Sequence, residues 1–327
     1  MMIPKEDIYA LNLIKNVGQA TLDNLLYTYS SINDLIDSDE NELNQCLKGA
    51  GKTYIIDEIK NNFDKYRDRA EYELNQFYDN EIIIISKWCD EYPERMRVIK
   101  DQPPPFLYCK GNIDLLKEEK SVAVIGTRNA TDEGFELGHL TAKFFADKGY
   151  NIVSGLATGI DTSAHQAALF AEGKTTAVLV DIQNIYPKEN LLLSDDICNG
   201  DGLLFAENIP GTTIQGPLFA RRDRLQSALS KAVFPIETDV AGGTMHTVEF
   251  AQKQKKKIFC PDLSKEDGYP INNPMAKGIR MLINEGKAEP YSIKKLDKVL
   301  KHIEDITDED SRNNQSSWGG GKQMKMI

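Results

Sequence analysis

Residues 154–169 read SGLATGIDTSAHQAAL. The apolar stretch YNIVSG (150–155) runs into them, and small residues at helical spacing carry on from Asp161. Strand, turn, helix is the reading that fits both flanks. Gly155 and Gly159 bracket the turn, and glycine permits positive φ and close approach of the backbone to a ligand. Ser154, Thr158 and the loop amides suit a phosphate, and Asp161 or Thr162 suits the helix N-cap. Asp161 has a second reading, in which it orients Arg128 or holds a sugar hydroxyl. His165 follows Asp161 by one helical turn, on the same face. Ser154, Asp161 and His165 would form a hydrolase triad only with a nucleophile elbow, which this turn lacks.

The same pattern recurs on either side. Buried-strand stretches are SVAVIG (121–126), YNIVSG (150–155), TTAVLV (175–180), GLLFAE (202–207), AVFPIE (232–237) and KIFCP (257–261). Helical stretches lie between them, at Gly134–Lys148, Asp161–Ala171, Pro187–Ile197, Pro217–Ser230 and Thr244–Lys256. Short apolar strands alternating with helices predict an α/β fold with a mostly parallel sheet covered on both faces. Ligands of such sheets bind at the carboxyl ends of the strands.

Each chemically informative motif falls at such an end. Gly126-Thr127-Arg128 follows the first strand and leads through Asn129, Thr131 and Gly134 into a helix. The turn amides and the helix dipole suit a phosphate there, and the Arg128 guanidinium adds a planar donor fork. The spacing matches neither G-x-G-x-x-G nor the P-loop. IYPKEN (185–190) places Lys188 in the first turn of a helix, where a cation is disfavoured unless an anionic ligand answers it. FARRDRLQSALS (219–230) sets Arg221, Arg222 and Arg224 within one turn, with Arg221 and Arg224 on a shared face. ETDVAGGTMHTVEFA (237–251) is a strand end, a Gly-Gly turn containing Gly243, and a helix. Together these turns predict an anion trough along one sheet edge, with room for several phosphates.

The whole chain is acidic: 327 residues, net charge −11, pI about 5.0. That balance argues against non-specific nucleic-acid binding, so any nucleic-acid site must be a local concentration of positive charge. KQKKK (253–257) reads as a solvated helix end. Cys46, Cys89, Cys109, Cys198 and Cys260 are scattered and odd in number, and His139, His165, His246 and His302 do not cluster with them. Reduced thiols, no metal site, no cofactor and a cytoplasmic location are expected. No stretch has a membrane span's apolar length, and MMIPKEDIYALNLIKN does not read as a secretory signal.

Three regions are expected. Residues 1–78 read as a small helical domain, with a turn at Val17-Gly18 that is reminiscent of a helix-hairpin-helix but reads more simply as an ordinary helix–turn–helix corner, and a long amphipathic stretch from Tyr54 to Phe77. The strands begin near Ile82–Ile85, and residues 79–290 form the α/β domain. Residues 291–327 hold one helix, Ile293–Ile303, and a polar, Gly-rich tail expected to be disordered, with Trp318 exposed.

In order and spacing the motifs resemble the DNA-processing protein A family, DprA or Smf. The matching pieces are YPERM (92–96), IGTRNATDEG (125–134), SGLATGIDTSAHQAAL (154–169), YPKEN (186–190), FARRDRLQSALS (219–230), ETDVAGGT (237–244) and Cys260-Pro261. The resemblance implies a Rossmann-like, doubly wound domain preceded by a helix-hairpin-helix or SAM-like domain. It implies a non-enzymatic protein that binds single-stranded DNA by its phosphates, helps load the recombinase RecA during DNA uptake and natural transformation, and acts as a homodimer. Arg128 and Lys188 match the family's phosphate-contacting positions, and Arg222 and Arg224 match the arginines of its F-P-x-R-N-R motif. With the turn residues, the implied site is Gly126, Thr127, Arg128, Ser154, Gly155, Gly159, Lys188, Arg222, Arg224 and Gly243. The chain departs from the pattern at Ala220, Asp223 and Gly242, in DIQN (181–184), and in lacking the family's C-terminal winged helix. Those departures fit a divergent branch, serving DNA uptake, phage defence or another pathway.

A second reading stays open on the same fold. AGGTMHTVE (241–249) overlaps the P-G-G-x-G-T-x-x-E motif of LOG-type phosphoribohydrolases at Gly242, Gly243 and Glu249, so a nucleotide sensor or hydrolase with Glu249 as acid is the alternative. For base stacking, Phe135, Tyr186 and Phe219 are candidates, although core packing is the favoured reading of each.

Overall fold

The computed structural model describes residues 3–97, 99, 103–262 and 274–305. The expectations for the polar tail and Trp318 lie outside them. The chain divides into two units, Met1–Glu91 and Tyr92–Ile327.

The first unit contains α1 (Lys5–Leu13), α2 (Gln19–Thr28), α3 (Ile32–Asp37), α4 (Glu40–Cys46), α5 (Lys52–Asn61), α6 (Phe63–Asp79) and β1 (Ile83–Ser86). The turn between α1 and α2 buries Val17. The single amphipathic stretch expected from Tyr54 to Phe77 is two helices. The chain leaves helical geometry at Asn62, φ −131°, a residue type that competes with helix backbone bonding. On α1, buried Tyr9 meets Phe77 of α6 edge-on at 6.4 Å and donates its hydroxyl to Glu73, while Asp7 pairs with Arg67 at 2.7 Å.

The second unit carries α7 (Glu94–Arg97), β2 (Phe106–Gly111), β3 (Ser121–Ile125), α8 (Asp132–Asp147), β4 (Asn151–Ser154), α9 (Ile160–Phe170), β5 (Thr175–Leu179), α10 (Leu191–Asn199) and β6 (Leu203–Ala206). It continues with α11 (Gly216–Leu229), β7 (Ala232–Pro235), α12 (Thr244–Lys253), β8 (Lys257–Pro261), α13 (Lys277–Asn284), β9 (Glu289–Tyr291) and α14 (Leu296–Glu304). All six strands read from the sequence are present. With β2 and β9 added, the order of the described strands of this unit is β2-β6-β5-β4-β3-β7-β8-β9. Neighbours from β6 to β9 pair in parallel, with Val122 opposite Ile152 and Val124 opposite Phe234, and β2 joins β6 antiparallel. The sheet is therefore mixed but mostly parallel, as expected.

Two strands were not legible. β2 follows a run of prolines, and β9 contains Pro290. Proline is tolerated in β9 because that strand ends the sheet order, where a missing N–H costs no ladder bond. Two expected helices start late. Pro187 is extended (ψ 157°), Lys188–Asn190 form a 3-10 turn, and α10 begins at Leu191. Likewise Ile293–Lys295 form a 3-10 turn before α14.

One continuous core joins the strands to α8, α9 and α14. Val122, Val124, Ile152, Phe234 and Phe259 meet Phe145, Ala164, Ala168, Val299 and Ile303. Phe145 packs on Phe234 at 4.9 Å, and Phe234 stacks on Phe259 at 5.4 Å. Burying each such ring contributes about 1.5–3 kcal/mol. This core holds the carboxyl ends of β3, β4, β5 and β7 at one edge.

Candidate functional site

The chain builds β3, β4, β5 and β6 outward in one direction, then returns to lay β7 against the other side of β3. A crevice at such a reversal is the usual ligand site of an open α/β sheet. Here it is filled from within. Glu237, just past β7 and fully buried, accepts the Thr131 amide at 2.9 Å and the Thr131 hydroxyl at 2.7 Å. Its carbonyl oxygen accepts the Thr127 amide at 2.8 Å. Thr131 in turn caps α8 by accepting from the Gly134 amide at 3.0 Å. A carboxylate thus sits at the positive end of α8, where the sequence suggested a ligand phosphate. A Cβ on Gly134 would fall 2.2 Å from that carboxylate, and one on Gly126 would fall 2.4 Å from Ile160. These glycines admit protein atoms, not ligand.

The β4–α9 turn follows the same logic. Asp161 lies inside the first turn of α9 rather than at its cap; the cap residue is Gly159, φ 79°. Buried Asp161 reaches back to accept the Gly155 amide at 3.1 Å and the Ala157 amide at 3.3 Å. Burial holds its carboxyl pKa above the ordinary carboxylate range, against Arg222, the two amides and the Ser154 hydroxyl, which pull it down. Thr162 donates to the Ala157 carbonyl instead of capping the helix. The two turns lock together because a Cβ on Gly159 would stand 2.3 Å from the Thr127 carbonyl oxygen. Ser154 is fully buried and donates to the Val124 carbonyl at 2.7 Å, so it frames the turn and presents nothing outward.

A cleft opens beside this frame. It is lined by Arg128, Gly155, Ala157, Thr158, Tyr186, Pro187, Phe219 and Arg222. Arg222 is 4% exposed and donates to the Gly155 carbonyl at 3.1 Å, while its Nε has no partner. Gly155 is required for this: a Cβ there would fall 1.8 Å from Arg222 Nη1. Arg128 lies over the Phe219 ring at 5.0 Å, Arg222 approaches the same ring at 6.0 Å, and Tyr186 meets it at 5.6 Å. Tyr186 is 47% exposed. Lys188 follows Pro187 directly and is exposed. Among the described residues, neither Arg128 nor Lys188 has a carboxylate partner.

A second, deeper cavity adjoins the cleft through Gly155, Tyr186, Phe219 and Arg222, and is closed by Asp181, Asn184 and Ile214. Both Asp181 oxygens accept the Gly211 amide at 3.1 Å, and Asn208 donates to the Val180 carbonyl. The segment 207–215 is tied down in this way. The departure DIQN thus has a structural use, which a single Asp in a loop does not announce.

The arginine cluster is split. Arg224 is 3% exposed and grips Glu207 through both terminal nitrogens at 2.8 and 2.7 Å, outside the cleft lining. Arg221 shares that carboxylate at 3.5 Å, as their common helix face predicted. Gly243 stands exposed before α12 in ordinary right-handed geometry, with open space at its Cβ position. Glu249 is exposed on α12 and does not line the cleft. His165 is fully buried, and its Nδ1 meets Thr175 Oγ1 at 2.7 Å. That hydroxyl already donates to the Ile152 carbonyl, so His165 donates to it through Nδ1. No Ser154–His165 relay exists. Phe135 is half-buried on α8. The residue that sequence reasoning missed is Glu237; an acid closing an apolar strand was its only trace.

The family model of DNA recombination-mediator protein A matches residues 83–304. The chain belongs to this family. Relatives include DNA processing protein DprA of Bacillus subtilis, 32% identical over 72% of this chain and 76% of the relative, and DNA processing protein DprA of Streptococcus pneumoniae, 37% identical over 60% and 67%. Protein Smf of Synechocystis is 31% identical, and the chain spans about half of its length. Among solved structures, DNA processing protein A from Streptococcus pneumoniae superimposes with TM-score 0.69 at 26% identity, covering 89% of this chain and 95% of that one. DNA processing protein A from Helicobacter pylori, solved for its single-stranded DNA binding mode, gives 0.59 at 28%, covering 68% and 97%. The fold is that of the family's Rossmann-like domain. Among the described residues, no helix is long and apolar enough to cross a membrane.

Proposed function

We propose that this chain binds single-stranded DNA along the carboxyl edge of its parallel sheet, gripping phosphates rather than reading bases. The reading rests on one observation: in a chain of net charge −11, Arg128 stands in an open cleft beside aromatic rings, with no carboxylate in ion-pair contact among the described residues. Lys188 extends the positive rim, and Arg222 supports the cleft from beneath. Tyr186, half exposed, is the surface on which a base stacks. Of the sequence-derived site, Arg128, Lys188, Gly155 and Arg222 carry the reading. Gly126, Thr127, Ser154 and Gly159 shape the turns, and Arg224 braces α11. Family membership supports a role in recombination, with a RecA-type recombinase as partner and a second copy of the chain completing a homodimer.

Titration of labelled oligo-dT at several salt concentrations tests the reading. Affinity should fall steeply with salt, and Arg128→Ala and Lys188→Ala should each weaken binding and lower the log–log salt slope by about 0.7. Salt-independent binding, or full affinity in the double variant, would refute it.

A further inference from the structure

The segment Arg221–Arg224 sets a carboxylate among three guanidinium groups. Asp223 Oδ1 stands 3.3 Å from Arg222 Nη1, with the Asp223 side chain 14% exposed and that of Arg222 5%. The same oxygen accepts from Gln226 Nε2 at 3.1 Å. Arg222 is also the guanidinium that lines the cleft and binds the Gly155 carbonyl.

The charged groups facing Asp223 come from every side. Arg222 is on its own helix, Asp161 on α9, His246 on α12, and Arg128 in the β3–α8 turn. Two buried carboxylates, Asp161 and Asp223, therefore share Arg222. A phosphate held at Arg128 adds a third anion to this cluster. Like charges so placed, out of water, disfavour one another's ionised form.

We propose that Asp223 is a counter-anion built into the phosphate site, and that single-stranded DNA binds with uptake of one proton by its carboxylate. The proposal rests on the reading of the cleft as a DNA site. The proton comes from solvent and lands on the Asp223 carboxylate. The carboxylate becomes neutral, its ion pair with Arg222 is lost, and the positive charge of Arg222 turns to the incoming phosphate.

The free protein is poised for this step. Burial, with a smaller push from Asp161 and against chiefly Arg222, raises Asp223 to about 6. The bound phosphate lifts it further. Between the free and bound values the complex holds more protons than the free chain, so affinity rises as pH falls, by up to about tenfold per pH unit for one proton. Below about 6 the free chain is already protonated and the affinity levels off.

Anisotropy titrations of labelled oligo-dT with the full chain, from pH 5.5 to 8.5 at constant ionic strength, test this. The wild type should tighten several-fold from pH 7.5 to 6. The isosteric Asp223→Asn variant should bind more tightly at pH 7.5 and lose that dependence, whereas His246→Gln should keep it. Calorimetry in HEPES and in Tris gives an independent reading on the unaltered chain, since the binding heats should differ by the difference between the two buffers' ionisation enthalpies. A pH slope that survives in Asp223→Asn, a slope abolished by His246→Gln, or heats that match in both buffers would each overturn the proposal. An oligonucleotide that fails to bind at every pH would overturn the DNA reading itself and this inference with it. Binding without proton uptake would overturn this inference alone.

Discussion

Glu237 at the end of β7 and Thr131 at the mouth of α8 are joined by two hydrogen bonds, of 2.9 and 2.7 Å, across the point where the sheet order reverses. The pair turns the fold's generic ligand crevice into structure. The helix dipole and the turn amides have their anion already, so the proposed DNA contact falls to the neighbouring cleft, where Arg128 lines the wall with no carboxylate in ion-pair contact among the described residues.

Replacing Glu237 by Ala should therefore act on stability first. It leaves a buried amide and hydroxyl without acceptors, a cost of about 1–3 kcal/mol, read as a lower urea midpoint with an unchanged slope. An unchanged midpoint would mean that the carboxylate does not hold α8 in place.

Two glycines four residues apart should respond in different ways. Gly155→Ala meets the end of the Arg222 side chain at 1.8 Å and displaces it; oligonucleotide affinity should fall while the fold persists. Gly159→Ala meets backbone carbonyls at 2.3 and 2.7 Å from a left-handed φ of 79°, which should destabilise the chain itself. Circular dichroism and thermal melts alongside the binding titration separate the two outcomes.

Arg128→Ala and Arg224→Ala form a second contrast. The first removes an open cation and should weaken DNA binding with little change in melting temperature. The second leaves the buried Glu207 carboxylate without its bidentate partner, a loss of about 3–5 kcal/mol. Equal loss of binding at unchanged stability in both variants would contradict this division.

Two buried groups tilt the pH dependence of stability in opposite senses. Burial pushes His165 down to about 3, so the folded chain keeps it neutral. That contribution is complete above pH ~6.5 and fades as pH falls toward 3. Asp223 is raised to about 6. The folded chain favours its protonated form, so stability falls as pH climbs from about 4 to 6, by at most roughly 3 kcal/mol. Urea midpoints measured from pH 4 to 7.5 should show Asp223→Asn gaining on the wild type as pH rises. His165→Asn should lose the least at the acid end. Parallel curves for all three chains would contradict both assignments.

Six of the parallel strands, β3 to β8, and the helices between them were legible because their determinants are local: apolar runs, glycine turns and helical periodicity over a few residues. Pro187 disguised the true start of α10, and Pro290 hid β9, because a proline's effect depends on whether its neighbour needs an N–H. The arginine cluster shows the limit more sharply. Arg222 and Arg224 are two residues apart, hence about 200° apart around the helix. One faces the Gly155 turn and the other Glu207.

Sequence alone thus determined the six central strands, the succession of turns along their carboxyl edge and the residue types available there. Only tertiary structure decided which charges stay open to a ligand. Partners such as Glu237 with Thr131, Asp161 with the Gly155 amide, and Glu207 with Arg224 lie 106, 6 and 17 residues apart. Whether a charge is neutralised depends on what the chain brings back to within hydrogen-bond reach, and no local pattern encodes that.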